Sequence, residues 1–109
     1  MNETMNKNIK ELSFQEVVDG DKPVLVDFYA DWCGPCRMMA PILEDVKKRL
    51  GDEVHVIKVD TDRHPDLAIQ YQVRGIPTLM LFEKGKVRWQ QAGVMQADQL
   101  EGVVRQNLS

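Results

Sequence analysis

Apolar runs and amphipathic stretches alternate along the chain, a pattern typical of an α/β domain. Four runs rich in apolar and β-branched residues are predicted as strands: 24–29, 54–60, 79–82 and 87–91. Apolar residues at helical spacing predict a short helix that ends at Gly20 and three further helices: 35–50, 65–73 and 96–108. Residues 8–11 are predicted as an edge strand, after a flexible lead over residues 1–7.

This order of elements predicts a single domain over residues 8–109. Helices separate most of the strands, so most neighbouring strands are expected to run parallel, whereas the last two form a hairpin. We therefore expect three layers, in which a central mixed sheet of about five strands is flanked by about four helices.

Turn and cap residues set the predicted ends of the helices. Ser13 and Glu16 form a capping box at the start of the first helix. Pro41 lies inside the 35–50 helix and is expected to kink it, because proline removes one backbone hydrogen bond. Gly51 is predicted to end this helix and Gly75 to end the next.

The two cysteines of the chain, Cys33 and Cys36, lie where the first buried strand gives way to a helix. They are three residues apart, and Gly34 and Pro35 give the link a tight turn, so the sulfurs can meet with little backbone movement. Pro35 falls in the first turn of the helix, where its missing N–H costs nothing. The sequence therefore predicts a reactive pair at a helix N-terminus.

A thiolate at Cys33 is expected to be stabilised there by free backbone N–H groups and by the positive end of the helix dipole. Half ionisation of an ordinary thiol at neutral pH requires a pKa shift of about 1.5, which corresponds to about 2 kcal/mol. Cys36 lies a turn inside the helix and is expected to be the more enclosed, resolving thiol.

Composition narrows the classes of function. The chain has 109 residues, a net charge of −3 and a pI near 5.3, with basic and acidic residues interleaved, so we predict neither nucleic-acid nor anionic-membrane binding. The polar stretch 1–12 lacks the apolar segment of a signal peptide, and no run is long enough to span a membrane. These features predict a cytoplasmic protein, in which a cysteine pair is more often catalytic or metal-binding than structural.

Zinc is the alternative occupant of the cysteine pair. A structural site needs four ligands, and the further candidates His55 and His64 are spaced unsuitably, so no metal is predicted. Asp27 interrupts the buried strand. It either faces solvent at an edge or is a buried acid whose pKa rises, and the covering expected of a central strand favours the second interpretation. Lys58 either reaches water or lies beside this acid.

Beyond the cysteines, Ile76-Pro77-Thr78 stands between a helix and a strand, where a cis X-Pro bond presents the loop backbone. With this loop, the segment 30–36 and the order of elements, the chain resembles the thioredoxin family over residues 8–108. The resemblance implies the thioredoxin fold and a thiol-disulfide oxidoreductase that reduces protein disulfides. Gly34-Pro35 between the cysteines resembles the reducing members rather than oxidases or isomerases.

The resemblance also assigns roles to individual residues. Cys33 is the attacking thiolate and Cys36 the resolving thiol, while Asp27 is the buried proton acceptor, with Lys58 modulating it. Pro77 is the cis-proline beside the pair, and an apolar surface for substrate docking is formed by three residues: Trp32, Ile76 and Gly93.

The resemblance implies partners as well. The Cys33–Cys36 disulfide is reduced by thioredoxin reductase at the expense of NADPH, the clients are disulfide-containing proteins, and the chain is a monomer that binds no cofactor itself. Tyr29 stands where many members have Trp, and Arg37 where many have Lys, which predicts altered docking or potential rather than lost chemistry. The alternatives are a disulfide oxidase or isomerase, and a protein-binding module with an incidental dithiol.

Overall fold

The computed structural model describes residues 14–109, in which one sheet lies between two layers of helices. The elements in chain order are α1 (14–19), β1 (Val24–Tyr29), α2 (Gly34–Leu50), a 3-10 turn (Gly51–Glu53), β2 (His55–Asp60), α3 (Pro65–Gln70), β3 (Thr78–Glu83), β4 (Lys86–Ala92) and α4 (Ala97–Gln106). The predicted lead (1–7), the predicted edge strand (8–11) and Ser13 of the capping box lie outside the described residues. Among residues 14–109, none of the helices is long and apolar enough to cross a membrane.

The sheet is mixed, as predicted, with the strand order β2-β1-β3-β4. Strand β1 is parallel to β2, because α2 carries the chain back across the sheet between them. It is antiparallel to β3, which forms a hairpin with β4. Lys84 and Gly85 have φ values of 52° and 81°, the backbone of a tight hairpin turn. The described residues contain four strands, and the fifth predicted strand is the one outside them.

Each face of the sheet has its own apolar core. Helices α2 and α4 cover one face, whose buried residues are Leu25, Met39, Leu43, Val46, Leu50, Val54, Leu79, Leu81, Met95, Leu100 and Val104. The second core is built on α1 and the other face, with buried residues Phe14, Val18, Val24, Val26, Phe28, Val59, Met80 and Phe82. Because β1 is covered on both sides, its side chains from Val24 to Phe28 are buried whichever way they point.

Helix α3 is shorter than predicted. It ends at Gln70 rather than at residue 73, and the left-handed residue is Gln72, with φ 56°, not Gly75. The N–H of Gln72 donates to the carbonyl of Ile69, and that of Val73 to the carbonyl of Ala68, the two bonds of a Schellman cap. The prediction failed because this cap is usually made by glycine.

Helix α2 connects the core to the cysteine pair. It runs for 17 residues through Pro41, so the proline does not end it, and it buries a stripe of residues: Cys36, Met39, Leu43, Val46 and Leu50. This packing fixes the position of the N-terminal end of the helix against the sheet.

Candidate redox site

The site lies at the junction of β1 and α2. After β1 the chain makes a turn in which the N–H of Cys33 donates to the carbonyl of Ala30 over 3.1 Å. Cys33 is the N-cap of α2, with an extended backbone (φ −86°, ψ 112°), and the helix begins at Gly34. Pro35 occupies the first turn, as predicted. The strand end and the helix start therefore place the Cys33 side chain at the helix N-terminus.

The two cysteines are joined by a disulfide, with their Cα atoms 5.3 Å apart. The backbone N–H of Cys36 donates to Cys33 Sγ over 3.2 Å. The first turn of α2 contains no acidic residue, so no carboxylate of that turn neutralises the positive end of the dipole. The helix end that surrounds Cys33 Sγ is thus suited to a sulfur anion once the disulfide is reduced.

The prediction that Cys36 is more enclosed than Cys33 is wrong. Cys33 is 4% exposed and Cys36 is 5% exposed, because both pack with Ala30 in one small cluster that Tyr29 and Ile76 border. Burial therefore does not distinguish the sulfurs. The N-cap position does, because it gives Cys33 Sγ the helix N–H group.

The loop before β3 contacts the sulfur pair. The Ile76–Pro77 bond is cis, the isomer expected from the sequence. The carbonyl oxygen of Ile76 lies 3.8 Å from Cys33 Sγ, and the carbonyl of Pro77 accepts a 2.8 Å hydrogen bond from the N–H of Gly93. The loop therefore brings Ile76 beside Cys33, and it ties Gly93 to Pro77.

We call Trp32, Ile76 and Gly93, the three residues predicted to form the docking surface, the docking rim. Trp32 is 70% exposed, Gly93 is exposed with φ 98°, and Ile76 is half-buried. Trp32 Nε1 donates to Asp62 Oδ2 over 3.0 Å, which orients the exposed indole. Sequence reasoning missed Asp62, since a bond across 30 residues leaves no local pattern.

Asp27 lies in the middle of β1, opposite Lys58 of β2 and Leu79 of β3. Its side chain is fully buried, which excludes the solvent-facing alternative, and neither oxygen has a hydrogen-bond partner in the described part of the chain. Burial raises the pKa of Asp27 from 3.8 to about 6, while the charge of Lys58 acts to lower it. The carboxyl is therefore poised to exchange a proton near neutral pH.

Lys58 is exposed, and its ammonium lies over the ring of Tyr29, 4.4 Å from the ring centroid. No ion pair joins it to Asp27, whose oxygens have no hydrogen-bond partner among residues 14–109. Lys58 therefore partly fits both interpretations. Its backbone lies beside Asp27 in the strand register, while its charged end stays near water.

Residues 14–109 contain no cluster of three or more His, Cys, Asp or Glu side chains that could hold a metal ion. His55 is exposed on β2, whereas His64 is half-buried at the start of α3. The cysteine pair is joined by its own disulfide, so the chemistry available to it is thiol-disulfide exchange.

Comparison with known proteins gives the family. The thioredoxin family model matches residues 5–106. A thioredoxin-like protein of Synechocystis sp. is 54% identical over 89 residues, which are 81% of this chain and 85% of that protein. Thioredoxin of Rickettsia typhi is 43% identical over 97 residues, 88% of this chain and 92% of that protein.

Among solved structures, a mutant thioredoxin from Halobacterium salinarum NRC-1 superimposes with a TM-score of 0.81 at 36% identity, covering 88% of this chain and 83% of that one. The fold and the resemblance predicted from the sequence are both confirmed. The chain belongs to the thioredoxin family and is a thiol-disulfide oxidoreductase, a protein-disulfide reductase with a redox-active Cys33–Cys36 pair.

Proposed function

We propose that Cys33 is the attacking and Cys36 the resolving thiol in the reduction of client protein disulfides. The Cys33 thiolate attacks one sulfur of the client, forming a mixed disulfide, and the other client sulfur leaves as a thiolate that takes up a proton. Cys36 then loses its proton and attacks Cys33 Sγ. The intramolecular disulfide forms, and the first client sulfur leaves. The observation that carries this assignment is the hydrogen bond from the Cys36 N–H to Cys33 Sγ at the start of α2.

Asp27 is the proton acceptor for Cys36 in this proposal. A carboxyl with a pKa of about 6 is largely ionised at pH 7, yet it is a stronger base than an exposed carboxylate. Its position supports the role, because it lies on the sheet face that α2 covers, in register with Leu79 of the same core. Lys58 modulates this carboxyl by lowering its pKa.

The docking rim binds the client in this proposal. The exposed indole of Trp32 and the half-buried Ile76 offer apolar contact, while the exposed Gly93 lets a client backbone approach closely. Pro77 supports this surface as the cis-proline, since its carbonyl holds Gly93. Gly34 and Pro35 set the short spacing of the sulfurs.

The proposal extends to the cellular setting. Thioredoxin reductase returns the protein to its dithiol form with electrons from NADPH, so the chain takes part in electron transport without binding a cofactor. The protein acts in the cytoplasm as a monomer, with residues 8–109 as its single domain. The thioredoxin relative from Rickettsia typhi and the net charge of −3, with interleaved basic and acidic residues, support this setting.

The Cys33→Ser and Cys36→Ser variants test the roles of the two cysteines. Turnover of a model protein disulfide should fall to background in both variants, because each lacks one sulfur of the exchange. With a disulfide-containing client, Cys36→Ser should accumulate a mixed disulfide, whereas Cys33→Ser should form none. Trapping by Cys33→Ser instead would reverse the assignment, and full activity in both variants would indicate a binding module with an incidental dithiol.

Equilibration of the protein with a dithiol buffer separates a reductant from an oxidase or isomerase. For this two-electron couple, a tenfold change in the equilibrium constant corresponds to about 30 mV. A potential near those of disulfide oxidants would contradict the proposed direction of electron flow.

A further inference from the structure

Four side chains of the paired strands β1 and β2 share one face of the sheet. Asp27 stands opposite Lys58, and Tyr29 stands opposite Asp60. Side chains alternate between the faces of a strand, so residues two apart share a face, and Lys58 is both the direct neighbour of Asp27 and the diagonal neighbour of Tyr29. The lysine thus has two possible partners, a buried carboxyl and an aromatic ring.

The ammonium of Lys58 is found on the ring. It lies 4.4 Å from the centroid of Tyr29, within the range of a cation–π interaction. An ion pair with Asp27 would require the ammonium to give up its water in a fully buried setting, which is costly. The half-buried ring of Tyr29 instead covers one side of the ammonium and leaves the other side open to water.

Without a partner, the Lys58 side chain would have room to move. It lines three surface clefts, of about 360, 200 and 180 Å³. The 200 Å³ cleft is also lined by Tyr29 and by Cys36, so the ring, the lysine and the resolving cysteine border the same space. The position of the ammonium therefore bears directly on the charge around the reacting pair.

Other charged groups surround Lys58 from each packed element. They are Asp31 and Arg37 in the 200 Å³ cleft, Glu44 and Lys47 of α2 in the 180 Å³ cleft, and Asp60, Arg63 and His64 in the 360 Å³ cleft. Lys58 alone among them stands next to Asp27 in the strand register. It is also the charge that lowers the pKa of Asp27 against the effect of burial.

We propose that Tyr29 is a positioning residue, whose ring holds in a fixed place the ammonium of Lys58, the neighbour of Asp27 in the strand register. This inference rests on the proposed role of Asp27 as proton acceptor. When the ring is removed, the ammonium turns outward into the clefts, where water screens its charge. The carboxylate then loses part of its stabilisation, and less of it is ionised at neutral pH. An aromatic residue at position 29 therefore serves to hold the Lys58 ammonium as well as to pack.

The test is a ¹³C NMR titration of the Asp27 carboxyl in the oxidised protein, in which neither cysteine titrates. Tyr29→Leu should raise the pKa of Asp27 by about 0.5 or more. Tyr29→Phe is the matched control, since it keeps the ring and should leave the pKa nearly unchanged. In a Lys58→Met background, Tyr29→Leu should have no further effect.

An unchanged or lowered pKa of Asp27 in Tyr29→Leu would overturn the proposal. The proposal would also fail if Tyr29→Leu raised this pKa equally with and without Lys58→Met. The wild-type protein supplies a second readout that does not depend on folding of a variant. The ε-methylene protons of Lys58 should be shifted upfield by the Tyr29 ring current, and their absence from the ring-shifted region would also overturn the proposal. Neither readout uses turnover, so failure here is distinguishable from failure of the proposed function.

Discussion

The two ends of helix α2 are built in opposite ways. At the N-terminal end, Cys33 is the cap, no acidic residue stands in the first turn, and the N–H of Cys36 is given to a sulfur. At the C-terminal end, the N–H of Gly51 donates to the carbonyl of Lys47, and the last turn holds three basic residues: Lys47, Lys48 and Arg49. The reactive N-terminal end leaves the positive pole of the helix dipole free for an anion. At the far C-terminal end, the basic residues offset the negative pole.

The far end is also tied to α4 by a network of ion pairs. Arg49 contacts three carboxylates, those of Asp45, Asp98 and Glu101. Arg105 of α4 pairs with Glu53 and Glu101 and donates to the carbonyl of Arg49 over 3.2 Å. Helix packing and this network fix the C-terminal end of α2 in place. The N-terminal end can therefore present its free N–H groups without an ion-pair network of its own.

The same contrast applies to the acids of the two regions. Asp27, near the reactive end, has no hydrogen-bond partner among residues 14–109, and burial raises its pKa to about 6. At the far end, Asp45 and Glu53 lie at the surface with arginine partners. An unpartnered buried acid lowers stability when it is ionised, and the proposed role of Asp27 as proton acceptor accounts for an acid at this position.

Asp27→Asn should produce the largest change in stability. The folded protein keeps the Asp27 proton up to about pH 6, whereas the unfolded chain releases it near pH 3.8, so wild-type stability falls as pH rises through this window. Asparagine does not titrate. At pH 7 the variant should therefore be more stable by about 3 kcal/mol in urea unfolding, and turnover should be slower.

This gain must disappear below pH 3.8, where the carboxyl is neutral in both states. The urea titration at pH 3 is thus the internal control. A gain that is the same at pH 3 and pH 7 would mean that the ionisation of Asp27 is not its source.

Arg37→Glu tests the reactive end of α2 and should have a smaller effect. It places an acid in a first turn that has none and removes the hydrogen bond from Arg37 to the carbonyl of Asp31. The pKa of the Cys33 thiol should rise by about 0.5, so iodoacetamide should react about twofold more slowly at pH 7. Arg37→Gln loses the cation without adding an anion, so its reaction rate should lie between those of Arg37→Glu and the wild type. Equal rates in all three proteins would contradict the dipole argument.

Arg49→Ala tests the far end and should have the smallest effect on the site. Loss of the network to Asp45, Asp98 and Glu101 should lower the melting temperature by about 3 °C. The alkylation rate of Cys33 should remain that of the wild type, because the charge lies at the opposite end of a 17-residue helix. A changed rate would show that the two ends are coupled.

The sequence was most informative where local patterns decide the structure. The strand β1, the cysteine pair at the start of α2 and the hairpin turn at Gly85 all follow from spacing, apolar runs and turn residues over short stretches. The loop at Pro77 was one of the features that carried the family resemblance, and the resemblance added its place beside the cysteine pair, which no periodicity predicts.

The features that the sequence did not predict depend on distant or exceptional contacts. The bond from Trp32 to Asp62 and the stacking of Lys58 on Tyr29 join side chains about 30 residues apart. The cap of α3 uses Gln72 at positive φ, where glycine is expected. The equal burial of Cys33 and Cys36 arises from packing around the junction, which position within a helix does not reveal.

The most direct test of the central claim is the pH dependence of Cys33 alkylation in the Cys36→Ala variant. We expect an apparent thiol pKa below the value of about 8.5 for a free thiol, and a faster reaction at pH 7 in the folded protein than in the same chain unfolded in urea. A pKa at or above that of the unfolded chain would contradict the stabilisation of the Cys33 thiolate by the end of helix α2.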